Sequence, residues 1–335
     1  MRAIRLHAFG PPENLRLEER PDPVPGPGEV RIAVAACGVH LIDTVLRAGT
    51  VSGPVPRPEL PTVPGREVAG TVDALGAGTD PSWLGRRVVA HLGTVPGGYA
   101  ELAVTAASRL HALPDGLGFA EAVAMIGTGR TTVVLLRMAA LGPQDTVVVL
   151  AAAGGIGTLA VQHARQLGAT VVGAAGGPAK TARVRALDAG PGLLAVDYTR
   201  PGWADEVRAA LGADRPATVV LDGVGGESAR AAVRLLAPGG RHLVYGWASG
   251  TGGAALFAES ELAALGVTSS TLLGPAMGRY TGTPEGLREV EAEALAAAAT
   301  GRLVPAVQTF PLARAAAAHR ALESRETAGK VVLVT

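Results

Sequence analysis

The sequence predicts an α/β protein of two domains, a doubly wound parallel-sheet domain inserted into a mostly β domain that both chain ends build. Three observations lead there. A chain of 335 residues exceeds what one hydrophobic core commonly serves. Its middle alternates strand-like and helix-like segments, the pattern of a parallel sheet covered on both faces. Its two ends are rich in short β segments bounded by Pro and Gly.

The elements follow in order. Met1 to Leu6, Glu29 to Ala36, Glu67 to Leu75 and Arg87 to His91 read as strands, and the proline run Pro21 to Glu29 excludes helix. Helix-like spacing begins at Phe119 to Met125 and continues over Thr131 to Leu141. Alternation follows. Strands are expected at Thr146–Ala151, Thr170–Ala174, Leu193–Val196, Thr218–Leu221 and His242–Tyr245, with a sixth at Thr268–Leu273. Helices are expected at Ile156–Leu167, Ala179–Ala189, Trp203–Leu211 and Glu227–Leu236. A long Ala- and Glu-rich helix spans Pro284–Thr300 and stops at Gly301, before a β tail over Lys330–Thr335. The expected domains are therefore 1–118 with 284–335, and 119–283.

Composition narrows the function classes. Apolar residues make up 48% of the chain and charged residues 18%, which suits packed cores rather than disorder. The net charge is +1 and the arginines are scattered, so no basic patch marks a nucleic-acid or anionic membrane surface. The charge-free runs Thr146–Val161 and Leu262–Gly278 are too short and too interrupted by Gly or Pro to span a bilayer. Cys37 is the single cysteine, which excludes an intramolecular disulfide framework. The opening residues lack the apolar stretch of a secretory signal. The expectation is a cytoplasmic protein acting on a small molecule.

The strongest local signal is VVVLAAAGGIG. An apolar strand runs into Gly154, Gly155, Ile156 and Gly157, and a helix follows at once. Backbone N–H groups at a helix N-terminus favour an anion, and glycines let a pyrophosphate approach them. Ala152 stands where the dinucleotide fingerprint has its first glycine, and a plain glycine turn is the bland alternative. NAD-binding units usually place Asp or Glu at the end of the second strand. Here Ala174, Ala175, Gly176 and Gly177 carry no carboxylate, and Lys180 is the next cation. That pairing suits the 2′-phosphate of NADPH, although Lys180, Arg183 and Arg185 also read as solvated helix residues.

With these motifs in place the sequence resembles the medium-chain dehydrogenase/reductase superfamily, and within it the zinc-free NADPH:quinone oxidoreductase group. The resemblance runs over essentially the whole chain, through GPGEVRIAVAACGVHLID (Gly26 to Asp43), VPGREVAGTV (Val63 to Val72), GGYAEL (Gly97 to Leu102), AAAGGIG (Ala151 to Gly157), VVLDGVGG (Val219 to Gly226), LAPGGRHLVYG (Leu236 to Gly246) and AGKVVLV (Ala328 to Val334). It implies a GroES-like β domain, a Rossmann domain and a homodimer formed near Thr268–Leu273. It implies that Gly154, Gly155, Ile156 and Gly157 hold the pyrophosphate, and that Lys180 and Tyr198 flank the 2′-phosphate. It places Gly223 and Val224 near the adenosine, Gly246, Trp247 and Ala248 near the nicotinamide, Thr131 by the carboxamide and Lys330 at the border of the active site.

Zinc members of the superfamily have a cysteine three residues before an aspartate and a histidine in a GHE motif. Here Asp43 is preceded by His40, and the later motif reads Gly65-Arg66-Glu67. Arginine keeps its proton and cannot ligate, so the count falls short of the three protein ligands a catalytic zinc needs. His40 is a candidate proton donor, or a histidine that merely borders the site. Val45 replaces a tyrosine that many quinone and enoyl reductases carry. The implied activity is zinc-free hydride transfer from NADPH to a quinone or an α,β-unsaturated carbonyl. A pathway-specific tailoring reductase and a nucleotide-binding member without redox turnover are the alternatives.

Overall fold

A computed structural model describes residues 1–50, 56–188, 190–249 and 257–335. The chain divides into two compact units, Met1–Gly129 with Ala294–Thr335, and Arg130–Glu293. Both divisions fall about ten residues beyond the expected boundaries at 118 and 283. The helix Phe119–Ala124 accounts for the first difference, because it packs on the strands Glu29–Val39, Glu67–Leu75 and Lys330–Val334 of the β unit. Ala294 lies inside the helix Pro284–Ala299, so the second division cuts a continuous helix.

The β unit is built on a seven-stranded sheet in which both chain ends meet. The C-terminal strand Lys330–Val334 runs antiparallel to Glu29–Val39, with Val331 opposite Val39 and Val334 opposite Ala36. On its other side Glu29–Val39 pairs with Glu67–Leu75, and that strand pairs with Arg87–His91. Alternating apolar side chains such as Val30, Ile32, Val34, Val68 and Val72 fill the core beneath. Two helices here escaped the sequence reading, Leu41–Ala48 and Ala315–Glu323. The first is short; the second is an alanine run whose helical face shows only once Ala315, Ala318 and His319 are seen buried.

The second unit is the expected parallel sheet. Its six strands lie in the order Leu193–Asp197, Thr170–Ala175, Thr146–Leu150, Ala217–Asp222, Leu236–Val244, Thr268–Thr271, all parallel. Thr146–Leu150 begins the unit's strands and sits in the middle, so chain order reverses beside it, where open α/β sheets bind ligands. Val147, Val148, Val149 and Leu150 are fully buried, which is why this strand reads as an unbroken apolar run.

Three expectations shift. The helix expected to reach Leu236 ends at Val233, and Leu236 already opens a strand that runs to Val244. Pro238 cannot continue a helix, and Leu236 pairs with Ala217 instead. The helix expected at Thr131–Leu141 is Arg130–Ala139, entered through a wide turn over Met125–Gly129. The helix Pro178–Arg185 stops short of Ala189, which lies outside the described residues. Among the described residues one run, Phe119–Ala139, is long and apolar enough to cross a membrane, and 61% of its most apolar window is buried in the protein.

Candidate active site

In the β unit three titratable side chains converge. His40 ends one strand's loop, Glu67 opens the strand Glu67–Leu75, and Lys330 opens the C-terminal strand. Because those strands flank Glu29–Val39, residues 290 positions apart meet. The His40 Nε2 atom lies 2.6 Å from Glu67 Oε1 and 2.8 Å from Lys330 Nζ, and Nζ lies 2.7 Å from Glu67 Oε2. The Glu67 side chain has no solvent exposure and that of Lys330 4%, whereas His40 keeps 26%. Burial works against the Glu67 carboxylate, but the His40 and Lys330 charges beside it hold its pKa well below the ordinary glutamate range.

Glycines make room for this carboxylate. A Cβ at Gly127 would stand 1.6 Å from Glu67 Oε1, and one at Gly38 2.1 Å from Oε2. Both positions therefore exclude any side chain while Glu67 stays in place.

A second buried chain supports the first. Asp43 Oδ2 accepts a 2.8 Å hydrogen bond from the His40 backbone N–H and a 3.1 Å bond from the Tyr99 hydroxyl. The Tyr99 oxygen lies 3.2 Å from His319 Nε2. Burial pushes the His319 pKa down to about 4, so its ring is neutral and its Nε2–H donates to Tyr99. Tyr99, fully buried, has its own pKa raised by burial and by Asp43. The chain pins the backbone at His40.

In the parallel-sheet unit, Gly154 caps the helix Gly155–Gln166 directly after the strand Thr146–Leu150. The first-turn N–H groups at 155–157 have no acceptor inside the helix, the arrangement that favours an anion at a helix N-terminus. A Cβ at Gly157 would stand 2.2 Å from the Ala151 carbonyl oxygen and 2.8 Å from Ala152 Cα, so only glycine lets helix and strand approach this closely. The bend itself uses Ala151 at φ +54°, while Ala152, at the missing-glycine position, is buried.

The neighbouring loops gather at the same edge, since parallel strands end together. A Cβ at Gly176 would touch the Tyr198 hydroxyl at 3.2 Å, so Tyr198 stands against the end of the second strand. Lys180 lies in the first turn of Pro178–Arg185 beside it, half-buried. Gly223, Val224, Gly246 and Ala248 are brought together by two bonds between loops, Ala248 N–H to the Gly223 carbonyl at 3.1 Å and Ser249 N–H to the Val224 carbonyl at 2.8 Å. Trp247 sits half-buried in the same loop, and Thr131 stands in the first turn of Arg130–Ala139.

Lys330, expected at the border of the active site, stands in the His40 cluster. Its ammonium is engaged by Glu67 and His40 inside the β unit. Glu67 and Asp197 are the residues that sequence reading passed over. A buried charge opening an otherwise apolar strand, GREVAG, was the available signal for Glu67. Asp197 comes from the third strand but caps the loop after the second, its Oδ1 accepting from Gly177 N–H at 2.9 Å and from the Thr199 N–H and hydroxyl at 3.0 and 2.6 Å.

A glycine bend at the switch point of a six-stranded parallel sheet, in a chain whose ends build a β unit, defines a dinucleotide-dependent oxidoreductase. Comparison with known proteins agrees. The alcohol dehydrogenase GroES-like domain matches residues 26–115, and the family described as zinc-binding dehydrogenase matches residues 193–333. A quinone oxidoreductase of Pseudomonas aeruginosa is 35% identical over 99% of this chain and 98% of its own. A 2-haloacrylate reductase of a Burkholderia species is 33% identical over the same shares. Among solved structures, Escherichia coli quinone oxidoreductase complexed with NADPH superposes with a TM-score of 0.85 at 28% identity, covering all of both chains. A mycobacterial protein complexed with NADPH gives 0.84 at 34%, again with full coverage. The chain belongs to the medium-chain dehydrogenase/reductase superfamily, in the company of its quinone oxidoreductases.

Proposed function

We propose that this oxidoreductase uses NADPH to reduce a quinone or an α,β-unsaturated carbonyl acceptor, and that it does so without zinc. The observation that carries the reading is the composition of the His40 cluster. It offers one imidazole and one carboxylate, and the third group within 3 Å is the Lys330 ammonium, which donates protons and does not ligate while charged. Arg66 stands where a second imidazole would be needed. Polarising an alcohol oxygen with a metal is unsupported by such a donor set.

The parallel-sheet unit fits NADPH. The residues that would hold it are Gly154 to Gly157 for the pyrophosphate, Lys180 and Tyr198 for the 2′-phosphate, and the loops at Gly223–Val224 and Gly246–Ala248 for the remaining length. Asp197, at the end of the third strand, has its Oδ1 already shared by three donors. When bound, the nicotinamide supplies a hydride. The chain's own part is the proton. His40 Nε2 meets both Glu67 Oε1 and Lys330 Nζ, so the three groups share their protons at that nitrogen and hold the ring in one orientation. Two relatives, a quinone oxidoreductase and a 2-haloacrylate reductase, support an electron-poor acceptor.

The test is NADPH consumption with a quinone panel and an enone panel, on protein whose metal content is measured first. Turnover by metal-free protein is expected. Loss of turnover after chelation, restored by zinc, overturns the zinc-free reading, and silence on both panels overturns the reductase.

A further inference from the structure

Resting on that reductase reading, we infer that the acceptor carries a carboxylate, and that Arg66 is the group that recognises it. The β unit holds a cavity of about 380 Å³, within the range of small-molecule sites. Leu6, Leu46, Pro64 and Pro96 supply apolar wall, and Arg47, Arg57 and Arg66 supply guanidinium groups. Arg66 is one of several buried arginines whose donors are incompletely paired. Its side chain is only 14% exposed, and among the described residues its Nε has no hydrogen-bond partner and its ion pair, to Asp43 Oδ1, is long at 3.7 Å. Asp43 is already committed through its other oxygen to His40 and Tyr99. Arg47 is 4% exposed and likewise leaves Nε and Nη1 unpaired, its Nη2 being shared by Thr44 and Glu323. The other acid on the wall, Glu59, is exposed to solvent.

Among the described residues the cavity thus offers these donors few acceptors. Buried guanidinium donors without partners are costly, and a carboxylate is the acceptor that matches them, two oxygens to one planar fork. Position makes the match useful. Arg66 directly precedes Glu67, and Asp43 follows His40 by three residues, so the groups that face the cavity and those that hold the proton share the same two backbone segments.

The chemistry gives a guanidinium work to do. An α,β-unsaturated acid is a reluctant hydride acceptor because its carboxylate is already negative. Hydride adds to the β-carbon as NADPH is oxidised to NADP⁺, the π pair of the C=C bond moves toward the α-carbon and carboxylate, and the α-carbon then takes one proton to give the saturated acid. The negative charge that builds on the carboxylate is what a fixed cation stabilises.

The experiment compares kcat/KM for 2-chloroacrylate, crotonate and cinnamate with their methyl esters, using the NADPH-loaded enzyme. Wild type is expected to favour acid over ester, and Arg66→Gln to lower the acid-to-ester ratio roughly ten- to a hundred-fold, the size of one or two charge-assisted hydrogen bonds. Arg66→Lys is expected to recover part of it. Where a variant fails to fold, wild type still decides, because 3-phenylpropanoate should inhibit enone turnover competitively and 3-phenylpropanamide should not. Esters reduced as well as acids, or equal inhibition by acid and amide, overturn the inference while leaving the reductase standing. No turnover of acid, enone or quinone removes the reductase reading and the inference with it.

Discussion

Glu67 is a fully buried carboxylate whose two oxygens meet an imidazole and an ammonium at 2.6 and 2.7 Å. Removing one member of such a set strands the others without solvent. Glu67→Gln is therefore expected to cost about 3 kcal/mol of folding stability, measured by urea denaturation at pH 7. The folded pKa of Glu67 lies below its unfolded value of 4.5, so its contribution is complete above pH 4.5 and lost as pH falls through the folded value. The variant should accordingly match wild type more closely in strong acid than at neutrality. His319 titrates in a higher window with the same sign. Its pKa falls from 6.5 to about 4 on folding, so the unfolded chain binds the extra proton between those values. Stability should rise by up to about 3 kcal/mol from pH 4 to 6.5 through this one ring, and His319→Gln should flatten that rise in urea titrations at pH 4.5 and 7.

Among elements, the end of the second strand decides the cofactor. No carboxylate stands at Ala174 to Gly177, Lys180 sits in the first turn of the following helix, and Tyr198 packs against Gly176. Calorimetric titration is expected to give tighter binding of NADPH than NADH, and Lys180→Ala to narrow the difference about ten-fold, one charge-assisted contact with phosphate. Asp197 tempers the expectation from the third strand. If NADPH and NADH bind equally to wild type, its charge outweighs Lys180. The strand Thr146–Leu150 and the glycine bend were legible in sequence because each residue acts locally: valines with both faces buried, then a turn that tolerates no Cβ at Gly157. The Leu236 boundary was not, because leucine pairs favour a helix as readily as a strand until Ala217 is seen as the partner.

At the scale of the whole molecule, the strand Thr268–Thr271 closes one edge of the parallel sheet, and all four of its residues are exposed. A flat exposed edge invites a second copy to continue the sheet. A homodimer is the expected state, and light scattering on the purified protein should return twice the chain mass. A single chain mass would leave the edge protected by some other means.

Fold class, glycine bend, cofactor candidates and the departure of Arg66 from a metal-ligand pattern were determined by the sequence alone, because strand periodicity, turn chemistry and ligand count are local properties of neighbouring residues. Tertiary structure alone brought together the buried cluster of His40, Glu67 and Lys330. His40, Glu67 and Lys330 are scattered over 290 positions and meet only because the C-terminal strand lies beside Glu29–Val39 and that strand beside Glu67–Leu75. A charge's partner depends on which strands become neighbours, and strand neighbours are set by the burial of the whole sheet rather than by anything written beside the residue.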